Sequence, residues 1–211
     1  KGVKGDERKT LEREQALFER LETTLTEGSP LRDADLTSEE RNRLRAYGLL
    51  TLKPVLVLLN TGDEPVNPEE VITYDHQQSK VLALQGELEM ELSQLSTDEA
   101  EMFMEEFGIS ELALNRVIRA SYNLLNLQSF FTTSEKEVRA WTIPMGATAL
   151  EAAGTIHTDM ARGFVRAEVV SYEDFIRCGG LTQARSEGVA HVEGKEYVVQ
   201  DGDVIHIRFS P

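Results

Sequence analysis

The chain has 211 residues, enough for one large domain or two small ones with a real core. Its apolar fraction of 40% and charged fraction of 28% are ordinary for a globular protein, and no run of about 18 apolar residues exists that would span a membrane. The lone Cys178 excludes an internal disulfide and fits the reducing cytoplasm, and we expect it to be a half-buried structural residue at a helix end.

The net charge of −15 is concentrated in the middle of the chain. Residues 49–131 carry 14 acidic and 4 basic side chains, whereas residues 1–48 carry 11 and 10. So acidic a segment does not bind nucleic-acid phosphates by simple charge neutralisation. Any contact with RNA or a ribosome therefore requires a local basic patch or a protein surface.

The first 48 residues predict two charged amphipathic helices. An apolar stripe with helical spacing covers residues 6–27. A capping box at Thr37–Glu40 then starts a second helix, which ends at Gly48. Because Pro30 breaks the chain between them, the two helices should form an antiparallel hairpin. It is either a protruding, coiled-coil-like arm or a pair of helices packed on a domain.

Two continuous apolar runs follow, at residues 55–59 and 81–84. Each is typical of a strand buried on both faces, as in a parallel α/β sheet. Ligands of such sheets bind beyond the carboxyl ends of the strands, so Asn60–Glu64 is the expected place for a site. The alternative is an acidic turn after a buried strand. Without neighbouring strands, this pair would expose apolar edges and faces.

Three helices are predicted around and after the second run. A short one begins at Asn67-Pro68. An acidic helix is capped by Ser96 and ended by Gly108, and its acidic face is most simply a solvated surface. Ser110 is the predicted cap of the next helix.

The last third predicts a small α+β domain. Residues 140–143 and 163–170 are β-branched apolar runs with a helix signal between them, and a turn at 201–203 leads into an alternating strand at 204–209. This order favours helices on one face of a mixed sheet, as in a ubiquitin-like β-grasp module. We expect His157 to be a hydrogen-bonded structural residue of this module.

Three long segments of the last third resemble one family. They read R-A-W-T-I-P-x-G-A-T-A, A-A-G-x-I-H-T-D-x-x-R-G-F-x-R-A-E-V and G-K-E-Y-V-V-Q-D-G-D-V, similar to the C-terminal TGS domain of the YchF/Obg-like ATPases. Leu114–Thr132 resembles the segment that leads into that domain. The resemblance implies an α+β chain with a helical, coiled-coil-like arm at 1–48, the C-terminal half of a P-loop NTPase domain at 49–128, and a β-grasp TGS domain at 129–211.

The same resemblance implies that the nucleotide base is recognised at the ends of the two central strands. The motif is N-K-x-D in G-proteins and N-x-x-E in YchF proteins, and an Asp in it selects guanine. This chain has N-T-G-D-E, so the choice depends on which carboxylate faces the base. In the loop that follows the second strand, Glu87 replaces the family's lysine. The implied base-recognition residues are Asn60, Thr61, Asp63, Glu64, Gln85 and Gly86.

No G-x-x-x-x-G-K-[ST] phosphate loop, metal-ligand pattern or Ser/His/Asp pattern occurs in the sequence. In the family, the phosphate loop and the water-activating histidine precede the coiled-coil region. We therefore expect a C-terminal piece of a longer ATPase or GTPase whose cofactor is ATP or GTP with Mg²⁺. The piece itself should have no catalytic residue, bind no nucleotide tightly, and need the missing half of its domain or a second copy.

The implied partners are the ribosome or other translation-related protein or RNA. The alternative is a stand-alone TGS module that binds protein or RNA and whose nucleotide motifs are vestigial.

Overall fold

The structure is a computed structural model that describes residues 5–62, 64, 66–134 and 137–210. The chain divides into two compact units between Leu124 and Leu125. Within the described residues, no helix combines the length and the apolar character that a membrane span requires.

The first unit begins with a helical segment. Helix α1 (Gly5–Thr26) is followed by α2 (Ser38–Leu44), and the predicted capping box at the start of α2 is confirmed: the Thr37 hydroxyl accepts from the Glu40 amide, while the Glu40 carboxylate accepts from the Thr37 amide. Short 3-10 turns continue the chain to Lys53. Only part of the α1 stripe is covered, because Leu11 and Leu25 are exposed. The small core of this segment is formed by Leu17, Leu21, Leu31, Leu36 and Leu44.

Strands β1 (Val55–Thr61) and β2 (Ser79–Gln85) form a two-stranded parallel sheet, so the two predicted strands are confirmed. No residue of either strand is fully buried, and Leu58 is 45% exposed. The pair therefore exposes apolar surface, as predicted for these strands without neighbours. The reason is that the described residues supply no third strand to this sheet.

Four further helices follow among the described residues of the first unit. The predicted caps of two of them are confirmed, since Asn67 accepts from the Glu69 amide and Ser96 forms a capping box with Glu99. The four are α3 (Pro68–Val71), α4 (Gly86–Leu92), α5 (Thr97–Glu106) and α6 (Ala113–Leu124).

Helix α6 does not begin at the predicted serine cap. Its first residue is Ala113, whose amide donates to Glu89 Oε1 in α4 at 2.8 Å. The prediction of Ser110 as the cap is wrong, because a carboxylate from another helix supplies the acceptor.

The second unit contains a five-stranded mixed sheet with the order β4-β3-β7-β5-β6. Strand β3 runs parallel to β7, and the other neighbouring pairs are antiparallel. The three predicted strands are confirmed as β4, β5 and β7, whereas β3 and β6 were not predicted. The strands are β3 (Leu127–Thr133), β4 (Val138–Pro144), β5 (Phe164–Val170), β6 (His191–Glu193) and β7 (Val204–Phe209).

Helices lie on both faces of this sheet. The main core lies between one face and helices α7 (Ala149–Ile156) and α8 (Thr158–Arg162). Helices α9 (Tyr172–Cys178) and α10 (Leu181–Ser186) pack on the other face, around Val170. The prediction of helices on a single face is therefore wrong, because β5 and β7 each place apolar residues on both sides of the sheet.

Candidate functional site

The parallel register of β1 and β2 brings the predicted site residues to one edge of the sheet. Asn60 lies opposite Leu84, and Thr61 lies opposite Gln85. The carboxyl ends of two neighbouring parallel strands thus meet, which is where ligands of open α/β sheets bind. Of the six predicted residues, the structure brings Asn60, Thr61, Gln85 and Gly86 together.

Asn60 and Gly86 are in direct contact. The side-chain oxygen Oδ1 of Asn60 accepts from the backbone amide of Gly86 at 3.0 Å. A Cβ atom on Gly86 would lie 2.7 Å from the same oxygen, so only glycine allows this approach. The contact fixes the orientation of the asparagine amide at the start of α4.

The remaining predicted residues contribute differently. The Thr61 hydroxyl donates to the carbonyl oxygen of Leu84 at 3.2 Å and ties the two strand ends together. Gln85 is half-buried immediately before α4, and Glu64 is exposed. Asp63 lies outside the described residues. The choice between Asp63 and Glu64 as the base-facing carboxylate therefore stays a prediction.

Beyond the strand ends the site is acidic. Glu87 is exposed directly after Gly86, while Glu89 accepts from the α6 amide. The nearby Arg116 donates to the carbonyl oxygen of Ala83 in β2 at 2.7 Å, so its guanidinium is hydrogen-bonded to the strand. An acidic rim of this kind suits contact with a base, which has hydrogen-bond donors, better than contact with phosphates.

A cavity of about 830 Å³ opens next to the strand ends, beside Gln85 and Glu87. Phe103 of α5 and Phe107, which directly follows that helix, line it, and their rings stack with centroids 4.3 Å apart. Sequence reasoning missed Glu89, Arg116 and this aromatic pair. The spacing of the two phenylalanines by four residues on a predicted helix was the available signal.

Two other residues that the sequence singled out have structural roles. His157 is hydrogen-bonded, as predicted: its Nδ1 accepts from the amide of Asp159 at 3.1 Å, and this contact caps α8. Cys178 is half-buried at the end of α9, also as predicted, and burial together with a hydrogen bond to Glu187 raises the pKa of its thiol. Among the described residues, no group of three or more His, Cys, Asp or Glu side chains could hold a metal ion.

Comparison with known proteins shows similarity along the whole chain. Residues 127–210 match the family profile YchF-GTPase_C, described as a protein of unknown function, DUF933. The chain is 42% identical over 220 residues to the ribosome-binding ATPase YchF of Escherichia coli O157:H7, covering 100% of this chain and 59% of the relative. The chain belongs to the YchF family.

Other YchF proteins agree with this assignment. The ribosome-binding ATPase YchF of Pasteurella multocida is 41% identical over 202 residues, which cover 93% of this chain and 56% of the relative. The YchF GTPase structure from Schizosaccharomyces pombe superposes with a TM-score of 0.81 at 31% identity, covering 99% of this chain and 57% of that one. The chain thus spans somewhat more than half the length of the YchF proteins it matches.

A more distant structure shares the fold alone. The GTP-binding protein of Pyrococcus horikoshii superposes with a TM-score of 0.51 at 17% identity, over 90% of this chain and 56% of that one.

Proposed function

We propose that this chain is the C-terminal portion of a ribosome-binding YchF-type ATPase or GTPase and supplies the base-recognition side of its nucleotide site. The observation that carries the proposal is the contact between Asn60 and Gly86 at the joined ends of two parallel strands. The bacterial relatives are named as ribosome-binding ATPases, which supports ribosome binding and ATP hydrolysis for the whole protein. The matches cover 56–59% of the length of those relatives.

In this proposal the base lies against the ends of β1 and β2. Asn60, oriented by Gly86, presents its amide to the base, and Thr61 holds the strand ends in register. Glu64 or Asp63 accepts from the ring edge of the base. The relatives are named as ATPases and the yeast structure as a GTPase, so both nucleotides belong in the test.

The described residues at this site fit a base but not the rest of the nucleotide. The rim is acidic, and its arginine is engaged with a backbone carbonyl. In the proposal, Mg²⁺ and the triphosphate are held by a phosphate loop outside this chain, where the metal ion would offset phosphate charge. This chain therefore orients the base and does not itself hydrolyse nucleotide.

The other parts of the chain take binding roles in the proposal. The five-stranded mixed sheet with its packed helices acts as a TGS module of the β-grasp type, and the leucine-packed α1 and α2 act as a helical arm. The exposed β1–β2 sheet is covered by the other half of the nucleotide domain or, in the isolated chain, by a second copy.

Two measurements test this function. Calorimetric titration of the 211-residue chain with ATP and GTP, each with Mg²⁺, should show no micromolar binding, whereas the chain should sediment with ribosomes. Micromolar nucleotide binding would overturn the division of the site between two parts. If the chain does not sediment with ribosomes, the proposed ribosome binding is wrong.

The alternative is a stand-alone binding module with vestigial nucleotide motifs. The exposed Glu87 beside Gly86, in place of a lysine, favours it. Measurements on the whole protein distinguish the two proposals. If Asn60→Ala lowers ATP hydrolysis, the nucleotide-site proposal is supported. If the protein binds ribosomes but no nucleotide, the stand-alone module is supported.

A further inference from the structure

One face of the sheet in the second unit is only partly covered by helices. Helices α9 and α10 pack on one end of this face, around Val170. Because side chains alternate along a strand, Arg166 and Glu168 of β5 project from the same face as Val170. His206 and Arg208 of β7 lie opposite them, in the pairs Glu168–His206 and Arg166–Arg208.

This part of the sheet carries more positive than negative charge. Glu168 is buried and accepts two hydrogen bonds from the Arg185 guanidinium of α10, and Arg208 Nη2 lies 3.3 Å from its Oε2. Arg166 is exposed and has no hydrogen bond or ion pair with any residue that the structure describes. Two arginines therefore share one carboxylate, and a third, Arg166, lies on the same face without a partner among the described residues.

The pairing of Arg166 with Arg208 is unfavourable for the free protein. Like charges directly opposite each other on neighbouring strands repel, and Glu168 is already shared between two guanidinium groups. Other arginines of this unit are neutralised instead: Arg162 pairs with Asp159, and Arg177 pairs with two carboxylates. An anionic partner would relieve the repulsion at the exposed pair.

We propose that this arginine face, defined as Arg166, Glu168, Arg185 and Arg208, binds the phosphate backbone of RNA and is the surface by which the second unit contacts the ribosome. The proposal rests on the ribosome binding proposed above. A guanidinium presents a planar fork of donors that matches phosphate oxygens. An open sheet face suits contact with an extended backbone.

The charge of the rest of the chain supports this choice of partner. The net charge is −15, so most of the surface repels RNA, and only a face with local positive excess can approach it. Such a distribution favours approach to a polyanion through this face, because acidic surface elsewhere repels it.

The test measures RNA and ribosome binding by the full 211-residue chain and three variants. Fluorescence anisotropy with a labelled 20-base-pair RNA duplex gives the affinity at several salt concentrations, and sedimentation gives ribosome binding. We expect Arg166→Ala to weaken RNA binding by about 3- to 10-fold and to reduce the salt slope by about one, and Arg166→Glu to weaken binding further.

Arg162→Ala is the matched control. It removes the same charge from the same unit, but α8 lies on the opposite face of the sheet. We expect less than about a twofold change. Because Arg166 has no partner among the described residues and lies opposite Arg208, its variants should unfold at or slightly above the wild-type temperature, and circular dichroism checks this.

Each outcome decides one of the two proposals. Equal RNA affinity of Arg166→Glu and Arg162→Ala would overturn the arginine face while leaving ribosome binding intact. A wild-type chain that binds the RNA duplex through Arg166 but does not sediment with ribosomes would overturn the proposed partner alone. Loss of ribosome binding in Arg166→Glu, with no wild-type affinity for RNA, would assign the face to an acidic protein and overturn the RNA proposal.

Discussion

Glu168 is a buried carboxylate that is held ionised by its neighbours. Only 7% of its side chain is exposed. Hydrogen bonds from Arg185 lower the pKa of Glu168 from its ordinary value of 4.5 to about 2; burial opposes this effect, and a hydrogen bond from Arg208 adds to it. The ionised carboxylate therefore stabilises the folded state at every pH at which Glu168 of the unfolded chain is also ionised.

Replacing Glu168 by Gln should make the protein less stable at neutral pH. A pKa shift of this size corresponds to about 3 kcal/mol, and we expect a loss of roughly 2 kcal/mol because the arginine ends are partly in solvent. A lowered pKa stabilises the fold above about pH 4.5 and loses that effect as the pH falls toward 2. Urea unfolding at pH 7, 4 and 3 should show the difference between wild type and E168Q shrinking.

Glu173→Gln serves as the control for this series, because Glu173 is exposed on α9. Its effect should stay within about 0.5 kcal/mol at each pH. A difference between wild type and E168Q that grows on acidification would contradict the pairing.

At the scale of elements, α6 depends on a neighbour for its N-terminus. Glu89 of α4 accepts from the Ala113 amide, so one carboxylate joins the starts of two helices near the candidate site. We expect Glu89→Ala to destabilise the first unit by about 1–2 kcal/mol, as loss of a charged N-terminal acceptor does. Thermal unfolding of E89A, compared with that of E91A, measures this loss of stability.

Glu91 is the appropriate comparison because it lies on the same helix and is exposed. Both variants gain the same helix propensity and lose the same charge. Equal melting temperatures for the two would show that the contact with α6 contributes nothing.

The start of β5 and the end of β7 meet at a glycine. A Cβ atom on Gly163 would lie 1.9 Å from the carbonyl oxygen of Ser210, and the Ser210 amide donates to the Gly163 carbonyl at 2.8 Å. Gly163→Ala must therefore move backbone, at roughly 2–4 kcal/mol. Gly194→Ala, where no atom lies within 4 Å of the added Cβ, should change the unfolding free energy by less than about 1 kcal/mol. A mild G163A would show that the chain end moves aside freely.

At the scale of the whole molecule, the two sheets differ in how well they are covered. Strand β7 has apolar residues buried on both of its faces, whereas no residue of β1 or β2 is fully buried. Local stability follows the burial of the surrounding apolar contacts. Amide exchange measured by NMR should therefore be at least about tenfold slower for Ile205 and Ile207 than for Val57 and Leu59, after correction for intrinsic rates. Equal protection would show that the small sheet is as stable as the large one.

The sequence predicted those features whose cause lies within a few residues. The capping box at Thr37 and the cap at Ser96 could be predicted because a helix start needs its acceptor and its carboxylate three residues apart. The strand ends at Asn60 and Gln85 followed from the switch between apolar and polar residues. His157 was correctly expected to be structural, since its partner lies two residues away.

Features that depend on distant residues were missed. The acceptor for α6 is 24 residues from Ala113, and nothing in the local sequence distinguishes Glu89 from Glu91. Strand β3 is held between β4 and β7, and β7 is more than 70 residues away along the chain. The alternation Arg166–Glu168 was visible, but its meaning depended on Arg208 lying opposite.

The amino-acid sequence by itself determined the family, the local helix and strand signals, and the positions of the residues that end β1 and β2. Only the tertiary structure showed that Asn60 contacts Gly86, that helices lie on both faces of the larger sheet, and that two arginines from different elements share the buried Glu168. The physical reason is the separation along the sequence between the residues that interact. Capping and side-chain alternation act between near neighbours in sequence, whereas register, burial and charge pairing arise only when distant segments are packed together.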